Sequence, residues 1–428
     1  MHFFIQTFGC KSNQYETQAI REQLIAAGMI EAHNLESADF LINNSCAVTS
    51  RAGASCRNAI RKALRINPDL RLILTGCAVD ASEKWLAEFN PLFIIPNSRK
   101  QFIANQLTTE CIESPSDGVW PDENFNLSIS RFDNHTRAFL KIQDGCDNRC
   151  SYCIVPQTRG RARSRAPEDI LGEAKILAQN GHPEIALTGI NIGAYNHEGM
   201  TLAGLVEKLA KTPGLVRLRL GSVEPQEITD ELLVAISSNE AICPHIHLPL
   251  QSGDATVLKQ MGRRYTPDDF MKTIDLIRKR IERPAITTDV IVGFPCEDAA
   301  AFENTFALCR QAGFSRLHIF LYSSRPGTPS AAMQPISHNR GIHEWKNRLL
   351  ELGAIQASAF AASCVGTIER AIVQSDGCLT DRYLMARATG STHPQGTAIR
   401  LRITSSHEAE LEGMALDNKE FASCPEIL

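Results

Sequence analysis

Three cysteines near the middle of the chain have a spacing that suggests metal chemistry. Cys146, Cys150 and Cys153 lie in the stretch KIQDGCDNRCSYC, in the pattern C-x3-C-x2-C, and no fourth cysteine or histidine follows closely. Thiolates bind soft metals, which include zinc, copper(I) and iron–sulfur clusters. Structural zinc takes four ligands, usually from paired C-x2-C sets. The spacing therefore favours a [4Fe–4S] cluster with one iron left open over a zinc loop whose fourth ligand comes from elsewhere.

An iron without a protein ligand would accept a small molecule that carries an amine and a carboxylate, such as the methionine end of S-adenosylmethionine. One electron passed to the sulfonium would split a carbon–sulfur bond and give an adenosyl radical. Such a radical removes hydrogen from carbon atoms that no protein base could deprotonate, while the protein positions the reactants and excludes water. The C-x3-C-x2-C triplet resembles the signature of the radical S-adenosylmethionine enzymes, and it makes the three cysteines the candidate catalytic residues.

Three more cysteines each follow a predicted strand in the N-terminal part of the chain. Over residues 1–105, strand patterns (HFFIQTF, ADFLINNS, LRLILTG) alternate with helical patterns, which is typical of a doubly wound parallel sheet. Cys10, Cys46 and Cys77 follow the three strands in turn. Ligands bind outside the carboxyl ends of parallel strands, so these cysteines are expected to converge on one rim as metal ligands. The alternative is three independent buried thiols, which are common.

The alternation of strand and helix resumes at about residue 136 and gives six strand–helix steps. Six are too few to close an eight-stranded barrel, so an open partial barrel is predicted, with its working face at the carboxyl rim. The predicted fold class is therefore α/β. Its parts are an N-terminal doubly wound parallel sheet (1–112), a polar linker (113–135), a central open (βα)6 partial barrel (136–363) and a small C-terminal β-barrel (364–428).

The composition bounds the class of protein. The chain has 428 residues, of which 43% are apolar and 21% charged, and its formal net charge is −4. These values are ordinary for a globular enzyme and give no global sign of nucleic-acid binding. The sequence has no run of about 18 apolar residues, so it predicts no membrane-spanning helix. The start MHFFIQTFGC lacks the features of a secretory signal, so we expect a cytoplasmic protein whose cysteines are not a disulfide framework.

With both cysteine trios placed, the chain resembles the radical S-adenosylmethionine methylthiotransferase family. The stretches TFGCKSNQYETQAI, NNSCAVT, LTGCAV and KIQDGCDNRCSYCIVPQTRGRARSR resemble its cysteine motifs, and the C-terminal β-barrel resembles the RNA-binding TRAM module. The segments ALTGINIGAY and KIQDGC make the chain most similar to the branch that modifies N6-threonylcarbamoyladenosine beside the tRNA anticodon. Related activities on isopentenyladenosine, or on an aspartate of a ribosomal protein, are the nearest alternatives.

The resemblance implies two [4Fe–4S] clusters and S-adenosylmethionine as cofactors. Cys146, Cys150 and Cys153 would hold the radical cluster, and the N-terminal trio would hold an auxiliary cluster that carries or donates sulfur. One S-adenosylmethionine would methylate that sulfur, and a second would yield the radical that takes hydrogen from carbon 2 of the adenine. The implied partners are the tRNA anticodon stem-loop and a low-potential reductant protein of the flavodoxin or ferredoxin type.

Several residues after barrel strands could bind S-adenosylmethionine, since all are expected at the carboxyl rim. Ordinary loop chemistry is the alternative for each. The candidates are Thr188, Gly189 and Asn191 after the second strand, Ser222 and Glu224 after the third, Gln251 beyond the fourth, and Arg163, which could clamp the cofactor carboxylate.

Two groups of arginines are candidates for RNA binding, because arginine forks suit phosphate. One group lies in TRGRARSR, beside the cluster motif, and the other in the last domain. The residues are Arg159, Arg161 and Arg165, and then Arg382, Arg387, Arg400 and Arg402. A solvated basic loop is the alternative for the first group. A function of a different class also stays open: a non-catalytic RNA-binding protein that uses its metals only as structural staples.

Overall fold

The structure is a computed structural model that describes residues 1–109, 127–133, 135–334, 339–390 and 393–416. Most of the predicted linker at 113–135, and residues 417–428 of the predicted last domain, lie outside the described residues.

The N-terminal part is a parallel five-stranded sheet in the order β2-β1-β3-β4-β5. Its strands are β1 (His2–Thr7), β2 (Ile30–Glu31), β3 (Phe40–Ser45), β4 (Arg71–Gly76) and β5 (Phe93–Ile95). Its helices are α1 (Lys11–Ala26), α2 (Ser50–Ile66), α3 (Cys77–Asp80) and α4 (Ile103–Thr109). Every residue of β3 is buried, as expected for a central parallel strand with helices on both faces.

The central part is built from strands and helices in alternation. Its strands are β6 (Arg137–Lys141), β7 (Gln143–Asp144), β8 (Arg163–Ser164), β9 (Glu184–Thr188), β10 (Asn196–His197), β11 (Met200–Thr201), β12 (Arg217–Arg219), β13 (His245–His247), β14 (Ala285–Val292) and β15 (Arg316–Leu321). Its helices are α5 (Val155–Arg159), α6 (Pro167–Gln179), α7 (Leu202–Leu209), α8 (Asp230–Ser237), α9 (Ala255–Gln260), α10 (Pro267–Arg280), α11 (Ala299–Ala312) and α12 (Asn339–Ala362).

The six long strands of this part form an open barrel. Parallel pairing runs through β6, β9 and β12, and through β13, β14 and β15. Parallel bridges at Leu218–Ile242 and Ser222–His247 join the two halves. No pairing between β6 and β15 occurs in the described chain, so the barrel is open on the side between these two strands. The prediction of an open six-unit barrel is confirmed.

The C-terminal part is a closed five-stranded β-barrel in the order β16-β17-β18-β20-β19. Its strands are β16 (Ile368–Gln374), β17 (Gly377–Thr380), β18 (Met385–Thr389), β19 (Ala398–His407) and β20 (Glu410–Ala415). The prediction of a small β-barrel at this end is also confirmed. Over the described ranges, none of the helices combines the length and the apolar character that a membrane span requires.

The turn between β17 and β18 closes the amino end of the central barrel. Arg217 donates to the Leu379 carbonyl and to Asp381 Oδ1, both at 2.9 Å. Arg219 donates to the Asp381 carbonyl at 2.9 Å and to the Thr380 carbonyl at 3.1 Å. Both guanidinium groups also bind Glu184, at 2.6 Å and 2.8 Å. This buried cluster joins the C-terminal barrel to the first residues of β9 and β12.

One arginine predicted to bind RNA belongs to the same joint. Arg382 donates to Glu369 Oε2 at 2.6 Å and to the Arg283 carbonyl at 2.9 Å, and its side chain is largely buried. The prediction of an RNA contact at Arg382 is corrected, because its donors bind Glu369 of its own barrel and the Arg283 carbonyl of the central domain.

Replacing Glu184 by Gln should weaken this joint. Burial alone would raise the pKa of Glu184, but the Arg219 and Arg217 guanidinium groups hold it at about 2, below its usual 4.5. A depressed carboxylate pKa adds stability that is complete above pH 4.5 and is lost as the pH falls towards 2. The variant should lose about 3–5 kcal/mol of unfolding free energy at neutral pH and should show less further loss in acid. Urea unfolding at several pH values measures both effects.

The matched control is Glu231→Gln, an exposed acid on α8, which should change neither quantity. Equal urea midpoints for the Glu184 variant and the unmodified chain at neutral pH would contradict this account of the joint.

Candidate active site

The loop of Cys146, Cys150 and Cys153 lies between β7 and α5, at the carboxyl end of β6. The Cys146 amide donates to the Gly160 carbonyl at 3.1 Å. Gly145, at φ +69°, precedes it, and a Cβ there would lie 1.9 Å from the Arg161 carbonyl oxygen, so only glycine fits. The Ser151 hydroxyl donates to the Gln260 carbonyl at 2.7 Å, at the end of α9. The loop is therefore held at both ends.

The three thiols of this loop lie in surroundings that suit metal ligands. The Asn148 amide donates to Cys146 Sγ at 3.4 Å, and Arg263 Nη1 donates to Cys150 Sγ at 3.3 Å. Burial raises the pKa of Cys146, and raises that of Cys153 to about 12. A buried thiol with a raised pKa ionises when a metal binds, and N–H···S bonds stabilise the bound thiolate. The donor set fits an iron–sulfur cluster.

No set of three Cys, His, Asp or Glu side chains in the described ranges converges on a point that a single metal ion could occupy. The cysteines of a cubane each bind a different iron, so a cluster does not require such convergence.

Three of the predicted cofactor residues lie around one carboxylate pair beside this loop. Asn191 Nδ2 donates to Glu227 Oε1 at 2.7 Å, and Glu224 forms an ion pair with Arg263. Both carboxylates raise the pKa of Cys146, which places them near the loop. Gly189 lies close by, since a Cβ there would be 2.9 Å from the Gln143 carbonyl oxygen. The structure thus brings Gly189, Asn191 and Glu224 to the cysteine loop.

The other predicted cofactor residues are more widely placed. Thr188 is buried at the end of β9 and pairs with Lys141 of β6. Ser222 is exposed beyond β12, and its backbone forms a bridge with His247. Gln251, at φ +65°, is hydrogen-bonded through its backbone to β14. Arg163 lies 3.7 Å from Asp144 Oδ2 and is mostly buried.

The sequence patterns missed two residues of this site. Arg263 joins Cys150 to Glu224, although 113 positions separate it from that cysteine. Gln143 Oε1 accepts hydrogen bonds from the Ile190 and Asn191 amides, at 3.0 Å and 2.9 Å, and so shapes the loop after β9. No spacing rule connects either residue to the cysteines. Their only signal was their place in the segments KIQDGC and MGRRYT.

Cys10, Cys46 and Cys77 lie together at the carboxyl ends of β1, β3 and β4. A Cβ on Gly9, at φ +97°, would be 2.7 Å from Cys46 Sγ, so the loop after β1 packs directly on that thiol. Burial, together with the neighbouring Cys77 and Cys10 thiols, raises the pKa of Cys46 to about 11. Cys10 is exposed, whereas Cys46 and Cys77 are buried.

The N-terminal trio lies at the interface with the segment that follows the central trio. Ala47, Cys77 and Ile154 form a single apolar cluster, and Ile154 directly follows Cys153. Asn97 Nδ2 lies 3.7 Å from Cys77 Sγ and donates to the Thr158 carbonyl of α5 at 2.9 Å. The N-terminal trio is therefore next to the segment that follows the central trio.

Five charged side chains, here called the interdomain ion network, are buried behind both trios: Glu16, Lys100, Lys141, Asp144 and Arg159. Glu16 of α1 pairs with Arg159 at 2.7 Å, with Lys141 at 2.6 Å and with Lys100. Asp144 pairs with Lys141 at 2.8 Å and with Arg159 at 3.0 Å.

The network keeps its carboxylates ionised. Burial alone would raise the pKa of Glu16, but Arg159, Lys100 and Lys141 hold it well below its usual value. In the same way, Arg159 and Lys141 hold the pKa of Asp144 at about 2. The pairs of Glu16 with Lys141 and Arg159 join the two domains, whereas Lys100 and Asp144 each pair within their own domain.

Two arginines predicted to contact RNA are buried. Arg159 is 1% exposed in the network, and it also donates to Asn13 Oδ1 at 2.6 Å. Arg165 is 4% exposed and pairs with Glu173 at 2.6 Å. The prediction of an RNA contact is corrected for both, because buried carboxylates already bind their guanidinium groups. Arg161, by contrast, has a side chain that is 92% exposed.

The remaining candidates for RNA binding lie on the C-terminal barrel. Arg387, Arg400 and Arg402 are all exposed, and Arg387 lies 3.5 Å from Glu410 Oε2. Arg400 also lines a cavity of about 530 Å³ between this barrel and the central one.

Comparison with known proteins gives matches over both parts that carry cysteine trios. The family model of the radical SAM superfamily matches residues 140–309, and that of the uncharacterized protein family UPF0004 matches residues 2–95. These ranges contain the central and the N-terminal trio, respectively.

Among curated proteins, the threonylcarbamoyladenosine tRNA methylthiotransferase MtaB of Chlamydia pneumoniae is 37% identical over 82% of this chain and 81% of the relative. The protein of that name from Bacillus subtilis is 33% identical over 95% of this chain and 94% of the relative. A tRNA-2-methylthio-N(6)-dimethylallyladenosine synthase of Thermoanaerobacter pseudethanolicus is 35% identical over 82% of this chain and 78% of the relative.

Among solved structures, the radical S-adenosylmethionine methyltransferase TsrM of Kitasatospora setae, with cobalamin and a [4Fe–4S] cluster bound, gives a TM-score of 0.57 at 13% identity. The match covers 88% of this chain and 81% of that chain. It shows a shared fold.

Replacing Arg159 by Met should destabilise the interface between the two trios. The change leaves Glu16 and Asp144 buried without their guanidinium partner, and breaking a buried pair costs about 3–5 kcal/mol. Hydrogen–deuterium exchange of the cluster-free chain should show faster exchange in α1 and in the 145–160 loop. Arg161→Met, two positions away and exposed, is the matched control and should exchange as the unmodified chain does. Identical exchange in both variants would show that the network does not hold the interface.

Proposed function

The chain belongs to the tRNA methylthiotransferase family of radical S-adenosylmethionine enzymes, and we propose that it methylthiolates carbon 2 of N6-threonylcarbamoyladenosine beside the tRNA anticodon. It is a transferase that uses an iron–sulfur cluster and S-adenosylmethionine, and its substrate is tRNA. The observation that carries the proposal is that two cysteine trios lie at one domain interface, where Cys77 packs against Ile154, the residue after Cys153. Such an arrangement suits a reaction that needs a radical and a sulfur donor at one carbon atom.

Cys146, Cys150 and Cys153 would hold the cluster that, with S-adenosylmethionine, supplies the adenosyl radical. Arg263 donates to Cys150 Sγ and would stabilise the bound thiolate. Asn191 and Glu224 lie where they could orient the amino group of S-adenosylmethionine, and Gly189 would bind it through the loop that packs closely on Gln143. Further contacts to this cofactor are assigned to four other residues: Thr188, Ser222, Gln251 and Arg163.

Cys10, Cys46 and Cys77 would hold a second [4Fe–4S] cluster, the source of the methylthio sulfur. Under this proposal residues 1–112 carry the sulfur site, residues 136–363 the radical site and residues 364–428 an RNA-binding module, with 113–135 as the linker. The N-terminal trio follows three strands, and the central loop is hydrogen-bonded at both ends. This would keep the sulfur and the radical at a fixed separation.

The RNA would bind through exposed arginines on both sides of the reaction site. Arg161 beside the cluster loop and Arg387, Arg400 and Arg402 on the last barrel would contact phosphates. The reacting adenosine must leave its stack to reach the barrel, which favours an unpaired base of the anticodon loop. A flavodoxin or ferredoxin type of protein would supply the electrons, and the cytoplasm is the proposed location.

Cys150→Ala should abolish radical formation. Anaerobic incubation of the reconstituted protein with dithionite and S-adenosylmethionine should release deoxyadenosine from the unmodified chain and none from the variant. Cys296→Ala removes an exposed thiol outside both trios and should release as much as the unmodified chain. Chromatography with mass detection measures the product. Failure of the unmodified chain to release deoxyadenosine would favour a protein that uses its metals only as structural staples.

Analysis of cellular tRNA identifies which adenosine derivative the protein modifies. Deleting the gene should remove the methylthio form of threonylcarbamoyladenosine, leave the unmethylthiolated nucleoside in its place, and keep methylthio-isopentenyladenosine unchanged. Mass spectrometry of tRNA nucleosides measures all three. Loss of the isopentenyl product instead would assign the chain to the other activity found among its relatives. Persistence of both products in a strain without a paralogue would overturn both assignments.

A further inference from the structure

Lys11 projects into the central barrel from the N-terminal domain. It directly follows Cys10 and is the first residue of α1, which packs against β6 at the open side of the barrel. Its ammonium lies 5.7 Å from the centre of the Phe139 ring, in the middle of β6. It also interacts electrostatically with His318 of β15, on the other edge of the opening. Lys11 therefore lies beside Phe139 of β6 and within electrostatic range of β15.

The amino end of the central barrel, here called the floor, carries positive charge near Lys11. Arg137 lies over the Tyr383 ring at 5.5 Å and donates to its hydroxyl at 3.4 Å. Within the described ranges, neither Lys11 nor Arg137 forms a salt bridge. Glu184 is within electrostatic range of Lys11, but both of its oxygens already bind Arg217 and Arg219. Two cations without an anionic partner in the described part of the chain give this floor a positive potential, which would attract a negative group.

The proposed substrate carries a negative group on the side of the base that would approach Lys11. In adenine, ring nitrogen N1 is bonded both to carbon 2 and to carbon 6, which carries N6. A sulfur donor at carbon 2 and a group that recognises the N6 substituent must therefore approach the same edge of the base. Cys10 and Lys11 are consecutive residues, and Cys10 belongs to the N-terminal trio while Lys11 lies beside Phe139 of the barrel wall. The threonylcarbamoyl substituent ends in a carboxylate, whereas an isopentenyl substituent is apolar.

We propose that Lys11 binds the carboxylate of the N6 substituent and thereby selects threonylcarbamoyladenosine. This inference rests on the proposed function. Arg137 and the Tyr383 hydroxyl border the same space and add positive potential and a donor. An apolar substituent would cover Lys11 without replacing its hydration, so the same residue disfavours isopentenyladenosine.

The test uses synthetic anticodon stem-loop RNAs and the anaerobically reconstituted protein. One RNA carries threonylcarbamoyladenosine, a second carries the neutral carboxamide of that substituent, and a third carries unmodified adenosine. The unmodified protein should bind the carboxylate form about tenfold to a hundredfold more tightly than the carboxamide, the range of a hydrogen bond to a charged group. Lys11→Met should bind the two equally, and Lys11→Arg should keep most of the preference. Fluorescence anisotropy gives the dissociation constants.

Lys208→Met, on the outer face of α7, is the matched control and should keep the full preference. Iron and sulfide content should be equal in all variants, which shows that a Lys11 effect does not come from loss of the neighbouring cluster. If Lys11→Met keeps the preference for the carboxylate, the inference is wrong and the proposed function stands. If the unmodified protein does not favour threonylcarbamoyladenosine over adenosine, the proposed substrate itself is wrong.

Discussion

The interdomain ion network is the constraint on which the arrangement of this molecule depends. Glu16 comes from the N-terminal domain, whereas Lys141, Asp144 and Arg159 come from the central barrel, and all are buried. A buried ion pair adds little net stability over apolar packing, but separating its members is costly. The network therefore specifies one relative placement of the two domains. That placement brings Cys77 of the N-terminal trio against Ile154, directly after the central trio.

A second buried charge cluster fixes the other end of the barrel. Glu184, Arg217 and Arg219 bind the turn between β17 and β18, so that Tyr383 covers the amino end of the lumen. The N-terminal helix α1 packs at the open side, so the carboxyl rim remains for substrate. A space that is closed at its amino end and lined by Lys11 suits a flipped base with a charged substituent. Buried charge clusters thus lie at both ends of the site, and apolar side chains pack along its sides.

Sequence patterns predicted the parts of this site that follow from local spacing. The C-x3-C-x2-C loop and the positions of Cys10, Cys46 and Cys77 after three strands required only periodicity and topology. The prediction that clustered arginines bind RNA was wrong for Arg159, whose partner Glu16 lies 143 positions away in the sequence. It was also wrong for Arg382, which binds a carbonyl 99 positions away. A run of arginines looks the same in sequence whether its members face phosphate or a buried carboxylate. Arg263 was missed for a related reason, since only the folded barrel brings it to Cys150.

The central claim is that each cysteine trio holds its own [4Fe–4S] cluster across one interface. Iron and sulfide analysis of anaerobically prepared protein tests it most directly, with the unmodified chain compared to a variant in which Cys10, Cys46 and Cys77 are all alanine. The account predicts roughly eight irons per chain falling to roughly four, because a cubane contains four. An unchanged iron content in the variant, or one zinc in place of the central cluster, would contradict it.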